Sequence, residues 1–433
     1  MHQSIKESME ANLWNRSQDG GEEKIRMKII DGGVTAARGF EAATAEAGIK
    51  YQNRKDMALI YSSSPCVAAG VFTNNVVKAA PVLWDKHVVE HGSPAQAVVI
   101  NAGIANACTG AEGYSCCRRT AECTSKALGI PEDSVLVAST GVIGMQIPID
   151  KIEAGILSMK DKKAGGKESG DLAAEAIMTT DTVPKQAAVE IEIDGKTVTI
   201  GGMCKGSGMI HPNMSTMLGF ITTDVNISKD LLQEALSTDV KDTFNMVSVD
   251  GDTSTNDTLL VLANGMAGNE KIVTKDENYA RFVAALHYIN ETMAKKMAGD
   301  GEGATALFEV RVIHAASKEE ARILSKSVIC SSLTKAAIFG HDANWGRILC
   351  AMGYAGVDFD PEKVELYFEG QKKRILIYKD GKAADYSEEE ATEILSEPEV
   401  RVLVDMKSGD QEACAWGCDL TYDYVKINAD YRS

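Results

Sequence analysis

The sequence predicts a mixed α/β (α+β) protein whose sheet is antiparallel or mixed, on three observations. An alternating apolar stretch folds back across a two-residue turn, an amphipathic stretch of helical period follows further on, and no G-x-G-x-x-G or Walker loop is present. In the first, Val189, Ile191 and Ile193 alternate with Glu190, Glu192 and Asp194, and Asp194-Gly195 leads to Val198 and Ile200, which is a β-hairpin pattern. In the second, Tyr279, Phe282, Val283, Leu286, Ile289, Met293 and Met297 share one face of a helix from about 276 to 297, ending near Gly299. The third removes the usual evidence for a nucleotide site, and the short turns disfavour a Rossmann arrangement.

The other elements follow from the same periods. Ala97–Ile100 and Val135–Ala138 are strand-sized apolar runs, Asp171–Met178 is helix-like, and Met217, Leu218, Phe220 and Ile221 begin a strand. Later strands are expected at Leu307–His314, Val364–Phe368, Arg374–Tyr378 and Arg401–Asp405, with helices at Glu319–Ile329, Trp345–Met352 and Glu388–Leu395.

Composition narrows the function classes. A chain of 433 residues with 44% hydrophobic content can bury large cores, and its length suggests two or three domains. A net charge of −17 without a lysine or arginine cluster argues against a nucleic-acid partner and against anionic membranes. No apolar run reaches the length of a membrane span. Residues 1–26 are polar and lack the apolar centre of a signal peptide, so they read as a disordered or expression-derived extension, with Met27 a sensible natural start.

The ten cysteines are scattered, which fits buried reduced thiols in a cytoplasmic protein. Cys414-Ala-Trp-Gly-Cys418 does not have zinc-knuckle spacing and no histidine follows, so no metal is expected; Cys116-Cys117 reads as helix packing. The Asp250–Asp257 run lacks the closing glutamate of a calcium loop and reads as a structural loop near the site.

The most chemically pointed stretch is Lys205-Gly-Ser-Gly-Met-Ile-His-Pro-Asn-Met-Ser215-Thr216-Met217-Leu218. A glycine- and proline-bearing loop gives way to a strand at Thr216, with small Ser215 before it. If the Ser215–Thr216 bond breaks, Thr216 gains a free α-amine, whose ordinary pKa of about 7.7–8.0 makes it a usable base beside its own hydroxyl. The same residues also suit an ordinary surface turn leading into a strand. Ser139-Thr140-Gly141, after a strand, could offer a hydroxyl and an N–H to a developing oxyanion, or could be a simple turn. Glu302 between two glycines and Lys205 beside Gly-Ser-Gly are equally readable as solvated loop charges. His211 lies five residues before Thr216 but precedes Pro212 in an extended loop, which weakens a general-base role.

The 205–218 stretch resembles the self-processing motif of the glutamate N-acetyltransferase (ornithine acetyltransferase) family of arginine biosynthesis. Asn101–Gly110, Ser139–Gly144, Met178–Thr182, Ser248–Thr258, Gly301–Thr305, Gly340–Arg347 and Ile427–Ser433 resemble that family in the same order, so the likeness covers residues from about 28 to 433.

The resemblance implies a layered helix/sheet sandwich of the self-processing N-terminal-nucleophile type with a second, smaller α/β domain. It divides the chain into 27–215 (α chain), 216–310 (start of the β chain, completing the catalytic domain), 311–410 (the smaller domain) and 411–433 (a segment returning to the site). It implies cleavage at Ser215–Thr216, Thr216 as nucleophile, Thr140 and Gly141 as oxyanion hole, and Thr180, Lys205, Glu302, Asn428 and Ser433 as substrate contacts. Which of Thr179 and Thr180 touches substrate stays open.

The implied reaction takes acetyl from N2-acetylornithine to glutamate, with no cofactor and an α2β2 assembly. Three other readings remain: a bifunctional enzyme that also takes acetyl-CoA, a self-cut amidase or aminopeptidase with water as acceptor, and an uncleaved binding protein. Two departures from the family pattern are Ala306, where lysine is common, and Ser215, where alanine is.

Overall fold

Residues 13–14, 25–211 and 217–429 are described by the computed structural model. Within residues 1–26, expected as an extension, Leu13–Trp14 and Ile25–Arg26 pair antiparallel, and the rest lies outside the described residues. The larger sheet has nine strands, running Lys28–Ile30, Lys185–Ile193, Lys196–Lys205, Leu218–Thr223, Thr258–Ala263, Met57–Phe72, Ala95–Ile104 and Val135–Val142, with Phe40–Ala45 against the first part of Met57–Phe72. Pairing is antiparallel except where Leu218–Thr223 meets Thr258–Ala263 and where Ala95–Ile104 meets Val135–Val142. The expected mixed sheet forms.

The hairpin Lys185–Ile193/Lys196–Lys205 turns at Asp194-Gly195, both with positive φ (51° and 68°), the two-residue turn whose twist suits a hairpin. The long helix spans Glu277–Gly299, and the Asp276 carboxylate caps it by accepting from the Tyr279 amide. Its Met293 and Met297 press on the hairpin's second strand. A Cβ added at Gly202 would stand 3.0 Å from Met293, and one at Gly206 2.7 Å from the Met297 sulfur. The chain leaving Lys205 is therefore fixed from below by a helix whose sequence period was already plain.

Residues alternate between the two faces of the sheet, as a pleated strand requires. Leu259 and Val261 join the core under the helices Lys229–Asp239 and Glu277–Gly299. Leu260 and Leu262 join a second core under Ala80–His91, Gly110–Leu128, Ile149–Met159 and Lys167–Ala176. Helices thus cover both faces, the layered arrangement expected. Lys167–Ala176 begins earlier than its apolar pattern suggests because its first turn is polar and starts from Gly166 at φ +86°, where the chain turns in. Cys116 and Cys117 are buried on the Gly110–Leu128 helix.

A smaller, seven-stranded sheet orders Val247–Ser248, Gln411–Cys418, Leu307–Ala315, Glu399–Asp405, Glu365–Glu369, Arg374–Lys379 and Lys382–Ala383. Its helices Lys318–Cys330, Trp345–Gly353 and Glu388–Leu395 match the expected spans to within a residue or so. Among the described residues no helix is long and apolar enough to cross a membrane.

Candidate active site

The site is built where strand ends converge. In the parallel pair Ala95–Ile104/Val135–Val142, Gly103 stands opposite Gly141. Gly141 has φ +131°, and a Cβ there would lie 2.2 Å from the Gly103 carbonyl carbon, so only glycine lets the two backbones approach. Side-chain amides lock the surrounding motifs together. Asn256 donates to the carbonyls of Ala105 (2.6 Å) and Ser139 (2.8 Å), and Ser139 donates to Asn101 Oδ1 (2.6 Å). Three stretches far apart in sequence thereby place Thr140 and Gly141 on the wall of one cavity of about 270 Å³.

Lys205 enters from the hairpin and carries the first charge. Its Nζ donates to Thr179 Oγ1 (2.9 Å) and Thr140 Oγ1 (3.2 Å), with Asp181 Oδ2 at 3.8 Å. An ammonium has only donors, so both threonine oxygens act as acceptors and each hydroxyl hydrogen is free to point elsewhere. Burial pushes Lys205 below the ordinary lysine range, against the pull of Asp181.

Behind it runs a buried chain of alternating charge. Lys185 Nζ donates to Asp181 (2.7 Å) and Asp300 (2.5 Å), and the Gly206 amide donates to Asp181 (2.7 Å). Burial opposes ionisation of Asp181, but Lys205 and Lys185 overcome it and hold its carboxyl at about 2. That depressed value stabilises the fold above the unfolded carboxyl pKa of about 3.9, and the gain disappears as pH falls through 2.

Lys185→Met removes the cation between two buried carboxylates, and we expect it to destabilise the fold by about 3–5 kcal/mol, the usual result of stranding a buried charge. The urea midpoint should fall accordingly. A shift under about 1 kcal/mol would show that the chain of charges is not structural.

Glu302 is 6% exposed and faces the same cavity. Its amide donates to the Ser207 carbonyl (3.0 Å), and Asn428 Nδ2 donates to its Oε2 (2.7 Å). Gly208 makes room for it: a Cβ there would fall 2.3 Å from the Glu302 carboxyl carbon. The second glycine of Gly-Ser-Gly is thus explained by a partner almost a hundred positions away.

Asn428 rides on the helix Tyr422–Ala429, which buries none of its residues and is tied down by polar contacts. Thr421 donates to the Gly303 carbonyl (2.8 Å) and Tyr424 to Asp250 Oδ2 (3.3 Å). Asp250 also accepts from the amides of Met209 (2.6 Å) and Ile210 (2.8 Å), so one carboxylate holds both the 206–211 loop and the C-terminal helix.

Thr140, Gly141, Thr179, Thr180, Lys205, Glu302 and Asn428 all line the cavity, as does Met217. Thr179 is the threonine bonded to Lys205; Thr180 lines the wall beside it. Ser215, Thr216 and Ser433 lie outside the described residues. His211 is turned toward Ser248 Oγ (3.1 Å) and Cys330 Sγ (3.5 Å), and burial with the nearby Lys326 charge pushes it down to about 4. At Ala306 the backbone amide donates to Asp419 (3.2 Å). The Asp250–Asp257 run, expected as a structural loop near the site, supplies Ser254, Thr255, Asn256 and Asp257 to the cavity lining, and the sequence singled out none of them. The signal available was the crowding of Asp, Asn and Thr in Ser248–Thr258, more polar side chains than a turn needs.

A small cavity has an ammonium and a carboxylate in its wall with hydroxyl and glycine groups between them, a charge pattern complementary to a compact zwitterion. Residues 41–433 match the profile of the ArgJ family, and the chain belongs to that family. It is 49% identical over 399 residues to the arginine biosynthesis bifunctional protein ArgJ of Thermotoga neapolitana, covering 92% of this chain and 99% of that one. It is 51% identical over 401 residues to ArgJ 1 of Clostridium acetobutylicum, covering 92% and 97%. The crystal structure of the ornithine acetyltransferase of Mycobacterium tuberculosis complexed with ornithine is similar at 43% identity and TM-score 0.41, over 44% of this chain and 100% of that one.

Proposed function

We propose that this chain transfers acetyl from N2-acetylornithine to glutamate, giving ornithine and N-acetylglutamate. The observation that carries the reading is the meeting of Thr140, Gly141, Lys205 and Glu302 around one cavity that opens beside Met217, the second residue after the proposed cut. Family membership supports the same reaction.

Cleavage at Ser215–Thr216 frees the Thr216 α-amine, which takes the proton of its own hydroxyl as Oγ attacks the acetyl carbonyl. The oxyanion accepts hydrogen bonds from the Thr140 hydroxyl and the Gly141 N–H. Lys205 makes Thr140 an acceptor on one side, which leaves its hydrogen for that task. Ornithine leaves as the amine, and the amine of glutamate then attacks the acetyl ester on Thr216. Glu302 meets a substrate ammonium, Lys205 a substrate carboxylate, and Thr180, Asn428 and Ser433 complete the contacts.

Residues 27–215 and 216–433 then act as associated α and β chains, as α2β2. The relatives are named bifunctional, which favours a second donor, and acetyl-CoA is the one we propose.

The test is an assay of purified protein with N2-acetylornithine and glutamate. Equimolar ornithine and N-acetylglutamate with parallel double-reciprocal plots support the two-step route. Acetate released without need of glutamate would turn the reading toward an amidase, and product from acetyl-CoA and glutamate measures the second donor.

Gly208→Ala probes the role of Glu302. The added methyl displaces the carboxylate, and KM for N2-acetylornithine should rise roughly 10- to 100-fold, the loss of a charge-assisted contact of about 1.5–3 kcal/mol. The melting midpoint should stay near wild type. An unchanged KM removes Glu302 from substrate binding.

A further inference from the structure

The helix Tyr422–Ala429 carries Asn428 to the cavity wall without burying any of its residues, so apolar packing gives it little hold. Tyr424 alone among them is partly buried, and it is bonded at both ends. Its hydroxyl donates to Asp250 Oδ2 (3.3 Å), and its carbonyl accepts from Asn428 Nδ2 (3.0 Å). The same Nδ2 donates its other hydrogen to Glu302 Oε2 (2.7 Å). An amide nitrogen has two hydrogens, so both are used, and Oδ1 is the remaining polar atom of the Asn428 side chain. Oδ1 and Glu302 Oε1 are then acceptors on two residues that line the cavity together. Asp250 is itself fixed, because its two oxygens also accept from the Met209, Ile210 and Asp252 amides. Burial, with the Asp250, Glu302 and Asp252 charges nearby, pushes the Tyr424 hydroxyl above the ordinary tyrosine range, so it remains a donor.

The geometry points to Tyr424 as a positioning residue that selects a donor with an ammonium at the far end of its side chain; this rests on the acetyl-transfer reading above. An ammonium brings three donors on one charge and is held best where several oxygens converge. Glu302 Oε1 supplies the opposite charge and Asn428 Oδ1 a second acceptor. Asn428 presents that oxygen while the Tyr424 carbonyl and Glu302 hold both of its amide hydrogens, and Tyr424 keeps its place through Asp250. Without the hydroxyl, the helix loses the tie one turn before Asn428, whereas the Thr421 bond to the Gly303 carbonyl (2.8 Å) still anchors the chain where the helix begins. The loss falls on the ammonium end of the donor and spares the acetyl end, which Thr140 and Gly141 serve.

Tyr424→Phe in the full-length protein removes the hydroxyl and keeps the ring. KM for N2-acetylornithine should rise about 5- to 10-fold at near-constant kcat, the scale of one lost hydrogen bond. Transfer from N2-acetylnorleucine, in which a methyl group replaces the ammonium, should run at the same rate in both proteins, which a loosened fold would not allow. Asn428→Ala should also raise KM for N2-acetylornithine, and adding Tyr424→Phe to it should cost less than about twofold more, because both changes act through one pair of oxygens. An unchanged KM in Tyr424→Phe, equal losses on the two donors, or fully multiplied effects in the double variant each overturn the proposal. Wild-type protein that makes no ornithine from N2-acetylornithine and glutamate overturns the acetyl-transfer reading and takes this one with it. An active wild type beside an unaffected Tyr424→Phe removes the role of Tyr424 and nothing else.

Discussion

Thr216→Ala is expected to leave the polypeptide whole, as one band near 46.4 kDa, where the wild type resolves into residues 1–215 and 216–433 or close trimmings of the first. The same change should abolish acetyl transfer, lowering it by roughly 10⁴- to 10⁶-fold, the scale seen when a nucleophile is removed from a concerted set of groups. Intact-mass spectrometry reads both effects in one sample, because an acetyl group on the wild-type fragment beginning Thr-Met-Leu adds a fixed mass. Thr216→Ser keeps a hydroxyl and should be cut, more slowly. Cutting of the alanine variant at the wild-type position would remove the hydroxyl from the mechanism altogether.

The second large effect belongs to Gly141→Ala. The new methyl would press on the Gly103 backbone, which cannot swing aside as a long side chain can, and the φ of +131° is itself unfavourable for alanine. The two parallel strands must part at the point where Thr140 and Gly141 line the cavity. We expect kcat to drop about 100- to 1000-fold, as for a lost oxyanion donor, with about 1–3 kcal/mol of backbone strain added to the fold. Gly144→Ala is the control, since its φ of +83° is also strained but its Cβ would meet nothing within 4 Å. It should lose stability and keep kcat. Equal kcat losses in both variants would mean that Gly141 acts through general strain.

Local chemistry made much of this architecture readable in advance. Asp194-Gly195 names its own turn type, and the apolar face of Glu277–Gly299 repeats cleanly enough to fix the helix. The candidate site was legible as a set of residue types, through the resemblance, and the cavity gathers those that are described. What could not be read were relations across distance. Asp181 and Lys185 have the spacing of a helical ion pair, yet Lys185 opens a strand, and the pair owes its geometry to Asp300. The parallel seam between Leu218–Thr223 and Thr258–Ala263 leaves no mark in either segment alone. Asp257 stood in a run read as a structural loop, because its burial arises only when the strand ends come together.

The strand before the proposed cut, Lys196–Lys205, is the direct antiparallel neighbour of the strand after it, with Lys205 facing Leu218. Twelve residues, 206–217, separate the paired ends of these two strands in the sequence. Severing that connection removes a tether while the ladder between the strands keeps every rung. The two products should remain zipped through the middle of a shared sheet, inseparable by dilution and released only by denaturant.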